Sequence, residues 1–246
     1  MRSKLGLLGK NIDYSFSRTY FSKKFSDENL NLSYENFDIE DIDKVQSVIG
    51  INNLLGFNVT IPYKQDIIPF LDQIDPEAKT IGAVNTVAIT HEGLLVGYNT
   101  DCWGFKQSLL PLLKPIHRKA LILGTGGAAK AIAHVLKLLG ISYQYVSRKK
   151  TISNQLSYDE LDEAIIKSHY LIINCTPLGT FPNTEKAPAI PYDYITENHI
   201  LYDLIYNPEK TTFLAHGESK GAKIINGYSM LVLQAEKAFE IWQKYM

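Results

Sequence analysis

Apolar residues recur along this chain in two registers, short runs suited to strands and longer stripes suited to helices. Residues 4–9 read as a first strand ending in glycine, and residues 34–37 as another. Residues 83–89 and 94–98 alternate around His91-Glu-Gly93 and predict a hairpin. Later strands are expected at 120–123, 142–146, 170–175, 200–205 and 223–226. Helical spacing predicts helices over 39–49, 103–113, 158–167, 211–220 and 229–242, and one in the alanine-rich segment that follows Gly127. Residues 11–18 read as polar and turn-like, ahead of an aromatic-rich stretch over 20–25. The apolar segment 54–61 contains a turn-forming Asn58, and Pro62 is expected to open a helix at its favoured first position.

One junction in this pattern carries chemistry. The apolar run Ala120 to Leu123 leads into Gly124-Thr125-Gly126-Gly127-Ala128-Ala129 and then into an apolar helical stripe. Strand, glycine turn and helix form the context in which such glycines bind a dinucleotide. The first makes the sharp turn, the second lets backbone approach a pyrophosphate, and a small third residue packs the helix on the strand. Free N–H groups at the helix start would hold the anion. The plain alternative is a tight turn that binds nothing.

About twenty residues past the glycines, an NAD site would want an acid for the ribose 2′-hydroxyl. The second strand ends instead in Ser147-Arg148-Lys149-Lys150. Clustered cations suit the 2′-phosphate of NADP, and the planar fork of Arg148 is best shaped to grip it. A solvated basic turn is the other reading.

Composition narrows the class. The chain has 246 residues, 45% hydrophobic and 21% charged, enough for one large domain or two modest ones. Its 25 basic and 26 acidic residues nearly cancel, so no global field recruits nucleic acid or an anionic membrane. Cys102 and Cys175 lie far apart without metal-binding spacing, which fits a reducing compartment and no disulfide framework. The scattered histidines offer no ligand spacing, so no metal is expected. With no signal-like start and no membrane-length apolar run, a cytoplasmic protein is the expectation.

Other candidates are individually ambiguous. Ser15 and Ser17 would share a face if their segment is extended, or Ser17 could cap the following helix. Lys64 is expected in the first turn after Pro62, where the helix dipole disfavours a cation and would suit a proton-transfer lysine; a solvated surface lysine is the alternative. Asp101 could cap the helix that follows it. Gln234 falls among core positions of the last helix and could make a core hydrogen bond.

Taken in order, the motifs resemble those of the shikimate dehydrogenases over nearly the whole chain. The resemblance is carried by Gly6-Leu-Leu-Gly9 with Ser15-Phe-Ser17, Gly56-Phe-Asn-Val-Thr-Ile-Pro-Tyr-Lys64, Gly82-Ala-Val-Asn-Thr86 and Asn99-Thr-Asp101. It continues through the glycine turn, Asn174-Cys-Thr-Pro-Leu-Gly179, Asp203-Leu-Ile-Tyr-Asn-Pro208 and Met230-Leu-Val-Leu-Gln234. It implies an α/β protein of two domains. Residues 1–101 with 229–246 would form the substrate domain, with the C-terminal helix returning to it, and residues 102–228 a Rossmann-type NADP domain.

The implied reaction is reversible, NADPH-dependent reduction of 3-dehydroshikimate to shikimate in aromatic amino-acid biosynthesis, by a monomer or homodimer. Lys64 and Asp101 would be the catalytic pair, with Lys64 the proton donor. Ser15, Ser17 and Tyr206 would bind the substrate carboxylate, and Thr60, Asn85 and Gln234 its ring hydroxyls. Gly124, Thr125, Gly126, Gly127, Ala128, Ser147, Arg148, Lys149, Thr176, Leu204 and Gly227 would hold the cofactor, the last two bordering the nicotinamide. Departures from the family pattern fall at Tyr14, Arg18, Phe21, Ser22 and Ser229. Ser17 and the basic turn argue against a quinate-accepting relative, and the retained Lys64 and Asp101 against a non-catalytic NADP sensor.

Overall fold

The computed structural model describes every residue except Met1, Tyr14, Asn52 and residues 151–153, so the departure at Tyr14 lies outside the described residues. The chain divides into two compact units, Met1–Thr100 with Gln234–Met246, and Asp101–Leu233.

The first unit is built on strands β1 (Ser3–Gly9), β2 (Leu32–Asp38), β3 (Leu54–Val59), β4 (Gln73–Ile74), β5 (Thr86–Ile89) and β6 (Leu95–Tyr98). They form one sheet in the order β2-β1-β3-β5-β6-β4. β1 runs parallel to β2 and β3, whereas β5 is antiparallel to both β3 and β6. Along β1 the side chains sort by face: Leu5 and Leu7 enter one core, Leu8 the other. The first core is aromatic. Helix α1 (Phe16–Asp27) and the end of the C-terminal helix bring Phe21, Phe25, Phe239 and Trp242 onto Tyr34. The Phe21 and Tyr34 rings stack at 4.7 Å, and the Trp242 indole donates to the Val87 carbonyl at 2.9 Å. Truncating such a ring costs about 3–5 kcal/mol, so this cluster anchors the C-terminal helix to the sheet. Helices α2 (Val45–Ile49) and α3 (Pro76–Ile81) contribute Val45, Val48 and Ala78 to the opposite core.

The second unit begins with α4 (Asp101–Leu109) and carries strands β7 (Lys119–Leu123), β8 (Ser142–Val146), β9 (Gln155–Leu156), β10 (Leu171–Asn174), β11 (Ile200–Asp203) and β12 (Lys223–Ile225). Their order is β12-β11-β10-β7-β8-β9, and all the pairings are parallel. Helices α5 (Gly127–Leu138), α6 (Glu163–Ser168) and α7 (Thr212–Ser219) serve as crossovers. Strands such as β10, buried along its whole length, read as continuous apolar runs because both faces are covered. The strand order reverses between β7 and β10, the position where open parallel sheets bind ligands beyond the strand ends. Helix α8 (Tyr228–Gln243) closes the chain, its residues from Gln234 onward belonging to the first unit. Among the described residues, no helix is long and apolar enough to cross a membrane.

Several expected elements take a different form. The segment at Ser15 and Ser17 is not extended: Ser15 caps α1, its Oγ accepting from the Arg18 N–H at 3.4 Å, and Ser17 lies in the first turn. The expected helix over 39–49 shrinks to a 3-10 turn at Ile42–Lys44 followed by α2, because the Asp41 carboxylate accepts from Asp43 N–H and restarts the chain there. Asn58 is a strand residue within β3. The stretch 158–167 is split. Ser157 and Glu160 form a capping box for one turn, and Asp162 then caps α6 by accepting from Ile165 N–H at 2.8 Å.

Candidate active site

Within the first unit, polar side chains that would each be costly to bury alone are joined into one hydrogen-bonded chain. Ser17 lies near enough to the hydroxyl of Tyr34 to lower its pKa, and that hydroxyl donates to Asn58 Oδ1 at 2.8 Å. Asn58 Nδ2 donates onward to the Asn85 carbonyl at 3.2 Å and to Thr86 Oγ1 at 3.0 Å. Asn85 Oδ1 accepts the Thr100 N–H at 2.7 Å, and Asn85 Nδ2 faces Gln234 Oε1 at 3.3 Å. Ser17, Asn58, Asn85, Thr86, Thr100 and Gln234 are all buried. Burial also raises the Tyr34 hydroxyl pKa, opposed by the Ser17 hydrogen bond, so it stays a neutral donor. The structure therefore brings Ser17, Asn85 and Gln234 together through Tyr34, Asn58 and Thr100.

Thr60 follows β3 directly, its N–H bonded to the Leu8 carbonyl at 2.9 Å, while Val59 N–H reaches the Asn85 carbonyl at 2.8 Å. Lys64 is half-buried and does not sit in a helix: residues 61–67 form turns, and the Ile61–Pro62 peptide is cis. A helix there would need the Lys64 carbonyl to accept from Ile68 N–H. Val84 N–H takes that carbonyl instead, at 2.7 Å, and Ile68 N–H bonds Gln65. The helix-dipole argument for Lys64 thus has no helix behind it. What the fold supplies is a backbone link that sets Lys64 one residue from the anchor of Asn85. Asp101, buried, stands in the first turn of α4, where its charge favours the helix start.

In the second unit the glycine turn lies at the reversal point of the sheet. Gly124 has φ +105, and a Cβ there would press on Thr176 and the Cys175 backbone at 3.2–3.3 Å, so a side chain would be both strained and crowded. A Cβ on Gly126, in contrast, meets nothing within 4 Å. Gly126 is the N-cap of α5 with no side-chain cap, and Thr125 beside it is exposed. Open space before uncapped helix N–H groups suits a pyrophosphate, with Gly127 and Ala128 in the first turn. Thr176 is held by Asn174, whose Oδ1 accepts its N–H at 3.0 Å and its hydroxyl at 2.6 Å.

The same Asn174 donates to Asp203 Oδ1 at 3.0 Å, and Asp203 also accepts from Ile205 N–H and from the Thr211 hydroxyl. Burial pushes the Asp203 carboxyl up to about 6 despite these donors. The next residue, Leu204, lies against Gly227: a Cβ on Gly227 would fall 2.1 Å from the Leu204 carbonyl oxygen. The two residues expected to border the nicotinamide are thus in backbone contact. Tyr206 follows, half-buried.

The basic turn is exposed at Arg148, Lys149 and Lys150. Lys150 pairs with Glu160, while among the described residues no ion pair engages Arg148. Arg148 is near enough to Tyr158 to oppose the rise that burial imposes on that phenol. The dinucleotide reading fits these residues: a cradle with room, uncapped N–H groups, and an exposed cation at the end of β8.

Residues 7–87 match the family described as shikimate dehydrogenase substrate binding domain. A shikimate dehydrogenase (NADP(+)) from Desulforamulus reducens is 37% identical over 262 residues, spanning 96% of this chain and 88% of that protein. The chain belongs to the shikimate dehydrogenases. The fold agrees: shikimate dehydrogenase 1 from Peptoclostridium difficile superposes with a TM-score of 0.86 at 40% identity, covering 99% of this chain and 92% of that one. A shikimate dehydrogenase solved in complex with NADP+ gives 0.82 at 32% identity, covering 98% and 90%. In this member of the shikimate dehydrogenases, sequence reasoning missed Tyr34, Asn58, Thr86, Thr100 and Asn174. Asn58, Thr86, Thr100 and Asn174 lie inside the quoted motifs, so their type was visible and their partners were not. Tyr34 carried no signal beyond its place in a strand.

Proposed function

We propose that this chain catalyses the reversible, NADPH-dependent reduction of 3-dehydroshikimate to shikimate, in the cytoplasm. The observation that carries the reading is the buried Asn85–Gln234 amide pair, locked by Thr100 and backbone-linked to Lys64 in a chain of this family. A polyhydroxylated ring needs fixed donors and acceptors, and amides already oriented by buried partners provide them at little further entropic cost. Ser15, Ser17 and Tyr206 take the substrate carboxylate, and Thr60, Asn85 and Gln234 the ring hydroxyls.

NADPH supplies the hydride when bound, held by the Gly124–Ala128 turn, Ser147, Arg148, Lys149, Thr176, Leu204 and Gly227. Negative charge builds on the substrate carbonyl oxygen as it is reduced. The Lys64 ammonium stabilises that charge and donates the proton, with Asp101 as the companion carboxylate. The test is direct: purified protein given 3-dehydroshikimate should consume NADPH, seen as loss of nicotinamide absorbance, with much less activity on NADH. Equal or greater turnover of 3-dehydroquinate with NADH would replace this reading by a quinate/shikimate dehydrogenase. No turnover of either pair would leave an NADP-binding sensor.

A further inference from the structure

The basic turn that follows β8 has a structural problem. Arg148, Lys149 and Lys150 are adjacent and exposed, and like charges in sequence repel and loosen a turn. What holds it is a residue outside every motif quoted above. Gln155, only 4% exposed, opens the short edge strand β9. Its Nε2 donates to Ser147 Oγ and, at 2.8 Å, to the Lys149 carbonyl. Ser147 Oγ in turn donates to the same Lys149 carbonyl at 2.7 Å.

The bonds close a triangle around Arg148. The hydroxyl of the residue before it and the carbonyl of the residue after it are both fastened to one buried amide. Both hydrogens of that amide are used here, and the Lys149 carbonyl uses its two acceptor sites. Backbone pairing supports the arrangement, with Ser147 N–H bonded to the Leu156 carbonyl at 3.0 Å and Tyr145 N–H to that of Asn154 at 3.1 Å. Glu160, itself fixed by the capping box on Ser157, draws Lys150 aside. Arg148 is then the cation that the turn presents.

We propose that Gln155 is a positioning residue for cofactor selectivity, its buried amide holding the Ser147–Lys149 turn in the shape that offers Arg148 to the 2′-phosphate of NADPH. This rests on the NADPH reading above. NADH lacks the 2′-phosphate and makes no use of Arg148, so loosening the turn weakens one cofactor and spares the other.

The experiment compares Gln155→Leu, which keeps the volume and removes both donors, with Gln155→Glu, which sets acceptors against the Lys149 carbonyl. KM for NADPH and for NADH is measured in each. Binding of adenosine 2′,5′-bisphosphate and of AMP is titrated by calorimetry, which reads the 2′-phosphate contribution without catalysis. Losing the two positioning bonds should raise KM for NADPH and Kd for the bisphosphate about ten-fold, with NADH and AMP shifted less than about two-fold. Gln155→Glu should lose at least as much, and decides the matter if the leucine variant does not fold. Equal weakening of both cofactors, or no change in either, overturns the proposal. Arg148→Ala, run in parallel, separates the two levels. If it weakens NADPH and NADH alike, the 2′-phosphate reading falls and Gln155 with it. If Arg148→Ala is selective and the Gln155 variants are not, only the role of Gln155 falls.

Discussion

The two units differ in the titratable side chains they bury. In the first, the buried polar side chains are neutral: Ser17, Asn58, Asn85, Thr86, Asn99, Thr100 and Gln234. In the second, among the described residues, lie the buried carboxylates Asp101 and Asp203 and the buried histidines His117, His169 and His199. Under the proposed function, the difference matches what each unit would recognise. Ring hydroxyls are read by amides and hydroxyls whose orientation must be fixed from behind, which calls for a connected interior network. A dinucleotide is read at the ends of parallel strands by backbone, by open space above glycine, and by a cation kept in water. There the buried pair Asn174 and Asp203 braces loops through Thr176, Ile205 and Thr211. On the proposed function, the ring hydroxyls would be read mainly from inside the first unit and the cofactor from the rim of the second.

The sharpest way to break that division is Lys64→Ala. With Lys64 the general acid proposed above, its removal should lower turnover by about a thousand-fold while NADPH binding stays as it was. Measuring kcat together with cofactor titration checks this, and retained turnover would take Lys64 out of the reaction.

A smaller effect is expected from the buried charge of the second unit. Burial lifts Asp203 from its ordinary 3.8 to about 6, so the folded state holds its proton more tightly than the unfolded chain. That contribution to stability is fully present below about pH 4, shrinks as pH rises and the unfolded chain ionises first, and is lost above about pH 6. The shift corresponds to about 3 kcal/mol. Urea unfolding at pH 4 and at pH 7 should show Asp203→Asn flattening this difference. An unchanged difference would mean that the carboxyl is not the group responsible.

The mildest change is Tyr34→Phe in the first unit. It deletes the hydroxyl that joins Ser17 to Asn58 and should cost about 1–2 kcal/mol of stability. It should also raise KM for the substrate and leave KM for NADPH alone. A variant that weakened both ligands equally would show that the network serves the fold at large and not the substrate side.

How much of this was legible beforehand differs between the units for the same reason. The glycine turn could be read from Gly124 to Ala129 because strand, turn and helix follow one another within a few residues. The basic turn was equally visible as a run of cations. Around Lys64 the local signal points the wrong way: a proline before a lysine suggests a helix start, whereas residues 61–67 form turns. The Lys64 carbonyl was claimed by Val84, far along the chain, and the helix did not form.

By itself, the sequence determined the strand and helix periodicities, the glycine turn after β7, the absence of an acid at the end of β8, and the ordered motifs that mark the family. All are properties of neighbours in the chain. Only the tertiary structure decided that Ser15 and not Ser17 caps α1, that Tyr34 and Asn58 link Ser17 to Asn85 and Gln234, and that Gln155 closes the turn around Arg148. Hydrogen bonds between side chains distant in sequence leave no periodic trace, and a buried amide looks the same in a string of letters whatever it holds.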